Sequence, residues 1–348
     1  MGVIGGVGYT PKMLRETIKD LKKGLREPNL PWGVDLLLPQ VGGNARKTNK
    51  DYTKGKLDEL IDVIVEEKAT MFVSAVGVPP AGVIDKLHKA GIYVANMIGH
   101  PKHAKKAIEA GIDFIIAQGG EGEFLLLLLL DFSLFAWNPS NGSLLYPSIT
   151  PGGGHTGDVP FSILIPTVVD VVRGHKSTLT GEQIQVVAAG GVYNGRSLAA
   201  ALCHGASAVW IGTRFVCAKE ASASPAHKKA ILDANHESLI RTTIFTGRPL
   251  HIIRTDYIRS WEEARPDKIK ELTSQGIVPV EWDLEQPCEN DDEEEKKING
   301  VLSHWFAGKV AAVVDKVEPA KDIIDEIISS AAEAIQKSNN LLVSAPKL

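Results

Sequence analysis

Short apolar runs and amphipathic stretches alternate from the start of the chain to about residue 235. The runs are Val3-Ile4, Val34 to Leu38, Met71 to Val76, Ile92 to Met97, Phe114 to Ala117, Ile184 to Ala188 and Ala208 to Ile211. Between them apolar residues fall at helical spacing: Pro11 to about Leu25, the set Leu57, Leu60, Ile61, Ile64 and Val65, then Ala81 to Ala90, Lys102 to Ala110, Ile163 to Val172 and Ser197 to His204. Runs this short and continuous read as strands buried on both faces, and the helices between them make βα units of a parallel sheet. The pattern predicts an α/β fold with seven such strands. A TIM (β/α)8 barrel needs eight, whereas an open doubly wound sheet needs a reversal of strand order that no sequence pattern reveals.

The alternation stops near residue 235, so 1–235 is read as the β/α barrel and 236–335 as an added C-terminal helical domain, with 336–348 a frayed tail. Asp291 to Glu295 form an acidic patch, read as a solvated loop. Ile323, Ile324, Ile327 and Ile328 make one apolar helix face, expected in a core.

Residues 123–152 differ in kind from the rest. Only Glu123 and Asp131 are charged, five aromatics crowd in, and Leu125 to Leu130 are consecutive leucines. Exposed, such a stretch would be an aggregation hazard. Deleting it joins Gly122 to Gly153 and produces one glycine-rich loop. The segment is therefore read as a non-native insertion of retained-intron type, the alternative being a lid over the site. The first βα unit of an eight-fold barrel has no counterpart before Val3, which is read as a truncated gene model, since a missing unit leaves two strand edges open.

Composition narrows the function. The 348 residues are 44% hydrophobic and 23% charged with net charge −4, ordinary for a globular protein. No basic patch with interleaved aromatics points to a nucleic-acid partner. The apolar run Phe124 to Leu130 is far shorter than the roughly 20 residues of a membrane span, so no membrane association is expected. Cys203, Cys217 and Cys288 lie far apart without metal-like spacing and are read as packing residues of a reduced compartment. A cytoplasmic location follows, the weaker alternative being peroxisomal because Pro346-Lys347-Leu348 approaches a Ser-Lys-Leu ending.

Three clusters follow the carboxyl ends of predicted strands, where α/β enzymes build their sites. The first is Gln118-Gly119-Gly120-Glu121-Gly122 rejoined to Gly153-Gly154-His155-Thr156-Gly157-Asp158. Its glycines let backbone approach a flat ring, and they would hold the His155 imidazole over the barrel mouth. A plain surface turn is the alternative. Asp158 either orients His155 or caps the next helix. The second cluster is Ala188-Ala189-Gly190-Gly191-Val192, and the third is Trp210-Ile211-Gly212-Thr213-Arg214-Phe215. Two such glycine turns in adjacent units make a phosphate grip of barrel type. No GxGxxG opens a Rossmann unit and no Walker lysine motif is present. His100 and His103 lack partners for a metal site and are read as a solvated helix start, and no metal is expected.

These motifs, with Ala218-Lys219-Glu220 and Thr246-Gly247-Arg248-Pro249-Leu250, resemble the nitronate monooxygenase family, once called 2-nitropropane dioxygenase, and most of all its fungal branch. The resemblance covers about residues 1 to 335 outside the insertion. It implies an FMN-dependent TIM barrel with an added helical domain. It makes His155 the catalytic histidine, Ala189, Gly190, Gly191, Gly212 and Thr213 the FMN-phosphate contacts, and Gln118 and Gly154 neighbours of the flavin. Asp35 stands where relatives carry an Asn facing the flavin, and the family's Ala-Pro-Met-type first strand has no counterpart. The implied partners are an alkyl nitronate and O2, and a homodimer is compatible with the sequence. An enoyl-thioester reductase or NADH:quinone reductase shares the Gly-Gly-His signature. The quinone reductases carry a His-Lys-Cys-Thr-like strand end where Asn96-Met97-Ile98-Gly99 stands. An inactive product of a defective gene model is the remaining alternative.

Overall fold

The computed structural model describes residues 1–6, 8–38, 51–121, 156–288 and 290–341. Seven strands form one sheet: β1 (Gly2–Gly6), β2 (Trp32–Leu37), β3 (Met71–Val76), β4 (Tyr93–Ile98), β5 (Phe114–Gln118), β6 (Gln185–Ala189) and β7 (Ala208–Trp210). Each pairs in parallel with the next in chain order, without reversal. Helices α1 (Pro11–Gly24), α2 (Leu57–Glu66), α3 (Ala81–Lys89), α4 (Pro101–Ala110), α5 (Phe161–Val172) and α6 (Gly195–Cys203) follow the first six strands in turn. The seven runs read from the sequence are these seven strands. The doubly wound alternative falls, because its strand order would reverse.

The two faces of the strands divide the core. Trp32, Val34 and Leu36 of β2 pack outward with Phe72, Val94, Ile115 and the helices. Val3, Val73, Ala95, Ile116, Val187 and Trp210 pack together on the other face. That inner cluster is buried although it draws its residues from the strands and their ends and none from the helices, so the face is covered by the sheet curving over itself. The sheet is rolled like a barrel wall, yet β1 and β7 are not hydrogen-bonded to each other.

Local chemistry sets the helix ends. Thr10 caps α1 by accepting from the Met13 N–H (3.3 Å), and Pro11 follows at the first position. Asn194 and Ser197 form a capping box on α6. Beneath β5 the buried Asp113 carboxylate accepts from the Val94 N–H (2.6 Å), pairs with His88 Nε2 (3.0 Å) and accepts from Ser177 Oγ, tying three connections together.

Past β7 come α7 (Thr213–Val216) and α8 (Pro225–Leu232). The expectation of a purely helical and irregular remainder is then corrected. β8 (Leu239–Thr242) and β9 (Leu250–Ile253) form an antiparallel hairpin, its strands only four residues each. Helices α9 (Asp256–Glu262), α10 (Pro266–Gln275) and α11 (Pro279–Glu285) pack on it around the buried Trp261. The acidic patch is solvated as expected but is helical, not a loop. It opens α12 (Asp291–Leu302), where Asn290 caps by accepting from the Glu293 N–H and four acidic residues complement the helix dipole. After a 3-10 turn at Lys309–Val313, α13 (Ala320–Asn339) buries Ile323, Ile324 and Ile327 as expected. It buries them in the core of the seven-stranded sheet, against α6, and not with the hairpin. Close approach of the two helices depends on Gly195, whose missing Cβ makes room for Ser330 and Ala331. Among the described residues no helix is long and apolar enough to cross a membrane.

Candidate active site

Parallel pairing in chain order brings the predicted glycine clusters side by side. Gln118 at the end of β5 is in register with Ala189 at the end of β6, and Ala189 in turn with Trp210 of β7. The Gly119 N–H donates to Ala189 O (2.9 Å). Gly190 and Gly191 then turn with φ +87° and +79°, left-handed values that favour glycine over any residue with a Cβ. Gly212 caps α7 and Thr213 is its first residue, buried. Six of the nine residues singled out from the sequence (Gln118, Ala189, Gly190, Gly191, Gly212 and Thr213) thus occupy three adjacent strand ends. His155 and Gly154 lie outside the described residues, as does the whole of the 123–152 segment.

Asp35 is on the opposite arm of the sheet, in β2. Trp32, Val34 and Leu36 face the helices, so alternation turns Gly33 and Asp35 to the inner face. A Cβ on Gly33 would touch Val3 and Met71, both inner-face residues. The Asp35 side chain is wholly buried; neither carboxylate oxygen meets hydrogen-bond geometry with a described residue, although the Ala75 backbone amide acts on the carboxylate from outside it. Burial pushes its pKa well above the usual carboxylate range, opposed to a lesser degree by the Ala75 backbone amide. Its register partner Gly5 on β1 is exposed, with open space where a Cβ would stand.

The sequence reading missed how the mouth is walled. The Thr156 N–H donates to Pro249 O (3.0 Å), and Asp158 pairs with Arg241 of β8 (2.6 Å). Asp158 therefore does not cap the helix that follows, since Pro160 holds that position in α5. On the other side Gly157 packs directly on Gly99 after β4. Glu121 accepts from the Phe161 N–H (2.9 Å) through Oε2 and receives the Lys309 N–H (3.0 Å) at its backbone oxygen. Thr213 Oγ1 accepts from the Gly308 N–H (2.9 Å). The Thr-Gly-Arg-Pro-Leu motif was the one trace of this wall in the sequence; it spans the β8–β9 turn, where Gly247 has φ +67°. Nothing local marks Gly308 or Lys309.

Of the other candidates, His100 caps α4 by accepting from the Lys102 N–H (3.1 Å) through Nδ1, and both it and His103 are solvent-exposed. Cys217 is buried and its thiol is pushed up to about 11, whereas Cys203 is exposed and so does not pack as expected.

A rolled parallel β/α sheet with glycine turns at consecutive strand ends is the frame of a barrel-type enzyme whose site lies at the carboxyl ends of its strands. The sequence pattern of the nitronate monooxygenase family matches residues 1–123 and 150–330, and the chain belongs to that family. The match passes over 124–149, the body of the leucine-rich segment. A Staphylococcus saprophyticus protein described as a probable nitronate monooxygenase is 26% identical over 287 residues, covering 82% of this chain and 69% of its own. A Rhodococcus jostii dehydrogenase acting on a hydroxy-methyl-oxo-octahydroindene carboxyl-CoA is 28% identical over 306 residues, covering 79% and 74%. Among solved structures, nitroalkane oxidase from Streptomyces ansochromogenes superposes with TM-score 0.69 at 21% identity, covering 97% of this chain and 89% of that one. Members of this family are flavin-dependent oxidoreductases.

Proposed function

We propose that this chain oxidises alkyl nitronates with O2, through FMN, to a carbonyl compound and nitrite. The observation that carries the reading is the row of Gln118, Gly190-Gly191 and Gly212-Thr213 on three adjacent strand ends, within a chain that matches the family on both sides of its leucine-rich segment. The residues present fit a flat, partly polar ring. A glycine pair in left-handed conformation permits close backbone approach, and Gly5 on β1 leaves open space where a Cβ would stand. Ala189, Gly190, Gly191, Gly212 and Thr213 would hold the phosphate, with Gln118, Gly154 and Asp35 near the ring. Bound flavin supplies the electron acceptor.

The chain's own chemistry centres on His155. A nitronate is already an anion, so a His155 N–H stabilises it by hydrogen bonding and charge. A neutral nitroalkane needs a proton removed first, and an imidazole with its near-neutral reference pKa does this as general base. His155→Asn keeps a donor but no base. It is expected to abolish most nitroalkane turnover and to spare nitronate turnover, both read as initial rates. Equal losses on the two substrates would refute the base assignment.

The Rhodococcus relative, named for a CoA-thioester dehydrogenation, favours a second reading in which the site handles an enoyl or acyl thioester with a nicotinamide. Rapid mixing with NADH separates them, because fast bleaching of the flavin colour belongs to the second. Motif detail favours the fungal branch, although the relatives above are bacterial. The segment skipped by the family match is read as non-native, of retained-intron type, and the mature transcript tests this directly. A catalytically inactive chain would purify colourless. The described helices favour neither a cytoplasmic nor a peroxisomal setting, and the cytoplasmic assignment rests on the sequence alone.

A further inference from the structure

Three cations stand around the described strand ends without an acid to pair with. Lys102 is the second residue of α4, which opens just past Gly99, the residue packed on Gly157. Arg196 is the second residue of α6, shortly past Gly191. Lys309 donates its backbone N–H to Glu121 O (3.0 Å), so the C-terminal segment brings its side chain to the same rim. All three side chains are exposed, and among the described residues none forms an ion pair. The acids on this side are engaged: Glu121 accepts from the Phe161 N–H (2.9 Å), Asp158 pairs with Arg241 (2.6 Å) and Glu318 with Arg214. Helix α4 adds Lys105 and Lys106, and its one acid, Glu109, lies in the last turn. The excess is felt locally, because the His103 imidazole is held below its ordinary pKa, first by partial desolvation and then by the charges of Lys102, His100 and Lys106. The starts of α4, α5 and α6 turn their positive dipole ends the same way. On the other arm α2 and α3 carry Asp58, Glu59 and Asp85, so the field is one-sided. A chain of net charge −4 thus sets positive charge beside the expected mouth.

We propose that Lys102, Arg196 and Lys309 draw anionic substrate to the mouth, so that the site captures a nitronate in preference to the neutral nitroalkane it comes from. This rests on the nitronate reading above and deepens it, because it assigns the choice between the two forms to long-range charge and not to a contact. An anion approaching a positive field between low-dielectric walls is concentrated at the mouth, by about tenfold or more where several charges act together. A nitroalkane has no net charge and gains nothing on approach. Its proton, once removed, stays on the accepting imidazole, so the bound pair remains neutral overall. Salt screens the attraction and leaves contacts inside the site largely untouched.

The test uses the full chain at saturating FMN as wild type and as two triple variants. The rim variant combines Lys102→Gln, Arg196→Gln and Lys309→Gln. The control combines Arg26→Gln, Lys89→Gln and Lys176→Gln, which remove the same charge from the amino-end side of the strands, at the far ends of α1, α3 and α5. Oxygen uptake with ethyl nitronate and with nitroethane gives kcat/KM at about 0.01 M and about 0.15 M salt, between which the screening length falls from about 30 Å to about 8 Å. At low salt the rim variant should lose about 3–10-fold in kcat/KM for the nitronate, and the loss should shrink at the higher salt. Its value for nitroethane, and the control's value for the nitronate, should stay near wild type. Equal nitronate losses in the two variants would show an effect of net charge alone and overturn the role of these three residues. So would a loss that salt does not diminish, or one shared by nitroethane. Wild-type nitronate turnover with no loss in the rim variant overturns the steering and leaves the function reading standing. If wild type consumes no oxygen with either substrate, the function reading fails and the steering falls with it.

Discussion

Gly157→Ala tests whether the mouth of the barrel is as tightly walled as it looks. A Cβ at Gly157 would lie 2.9 Å from Gly99 Cα and 3.0 Å from its carbonyl carbon, and nearer still to its oxygen. All three are backbone atoms, which cannot rotate away. Relief requires the segments to part by about 1 Å, and the loop has little room to retreat. It is held on the other side by the Thr156 N–H to Pro249 O bond (3.0 Å) and the Arg241–Asp158 pair (2.6 Å). The Gly120 N–H also donates to Val159 O (2.8 Å) just beyond it. Overpacking of this kind costs about 1–3 kcal/mol. Since His155 precedes this loop directly, displacement by about 1 Å should also lower turnover roughly 100-fold if His155 acts there. Urea denaturation gives the stability, and nitronate-dependent oxygen uptake gives the activity. Gly120→Ala is the control, because its Cβ would meet nothing closer than Gly157 O at 3.3 Å, a contact small shifts relieve. A Gly157→Ala protein with wild-type urea midpoint and turnover would refute the packing argument.

Two further outcomes follow from groups away from the mouth. Arg214 at the start of α7 is nearly buried and pairs with Glu318 just before α13, which Lys316 also contacts. Glu318→Gln leaves that guanidinium buried without a counter-charge and is expected to cost about 2–3 kcal/mol at pH 7, somewhat below the fully buried case because Glu318 is partly exposed. Burial alone would push the Glu318 pKa up, but the Lys316 contact and the Arg214 charge outweigh it and hold the carboxylate below its ordinary range. Its contribution is thus complete above the unfolded value of about 4.3 and is lost as pH falls through the lower native value. The wild-type advantage in urea should vanish in strong acid, and an advantage that persists there would contradict the ion-pair account. Cys217 has a thiol pushed up to about 11 by burial, so a thiol reagent at pH 7.5 should label exposed Cys203 and leave Cys217 unmodified in the folded protein. Equal labelling rates would show that the burial is wrong.

The parts of this protein that depend on short-range chemistry were determined by the sequence itself. Val34 to Leu38 or Met71 to Val76 cannot be solvated on either face, so each had to be a buried strand. Gly190-Gly191 could only be a turn beyond a strand end, and the apolar face at Ile323, Ile324 and Ile327 had to meet a core. Which core was another matter. Only the folded chain decided that α13 packs on α6, because the space left by Gly195 is complementary to Ser330 and Ala331, far along the sequence. The β8–β9 hairpin was invisible for a related reason: its four-residue strands are too short to show a period, and neighbouring helices stabilise them as much as their own pattern does. The same holds for Asp158, which leaves the cap of α5 to Pro160 and pairs with Arg241. At Asp35 the sequence displayed an acidic residue inside an apolar strand, but its complete burial is decided by the neighbouring strands together. Patterns of solubility are written locally and can be read locally; the pairing of polar groups is settled only when distant segments compete for the same few ångströms.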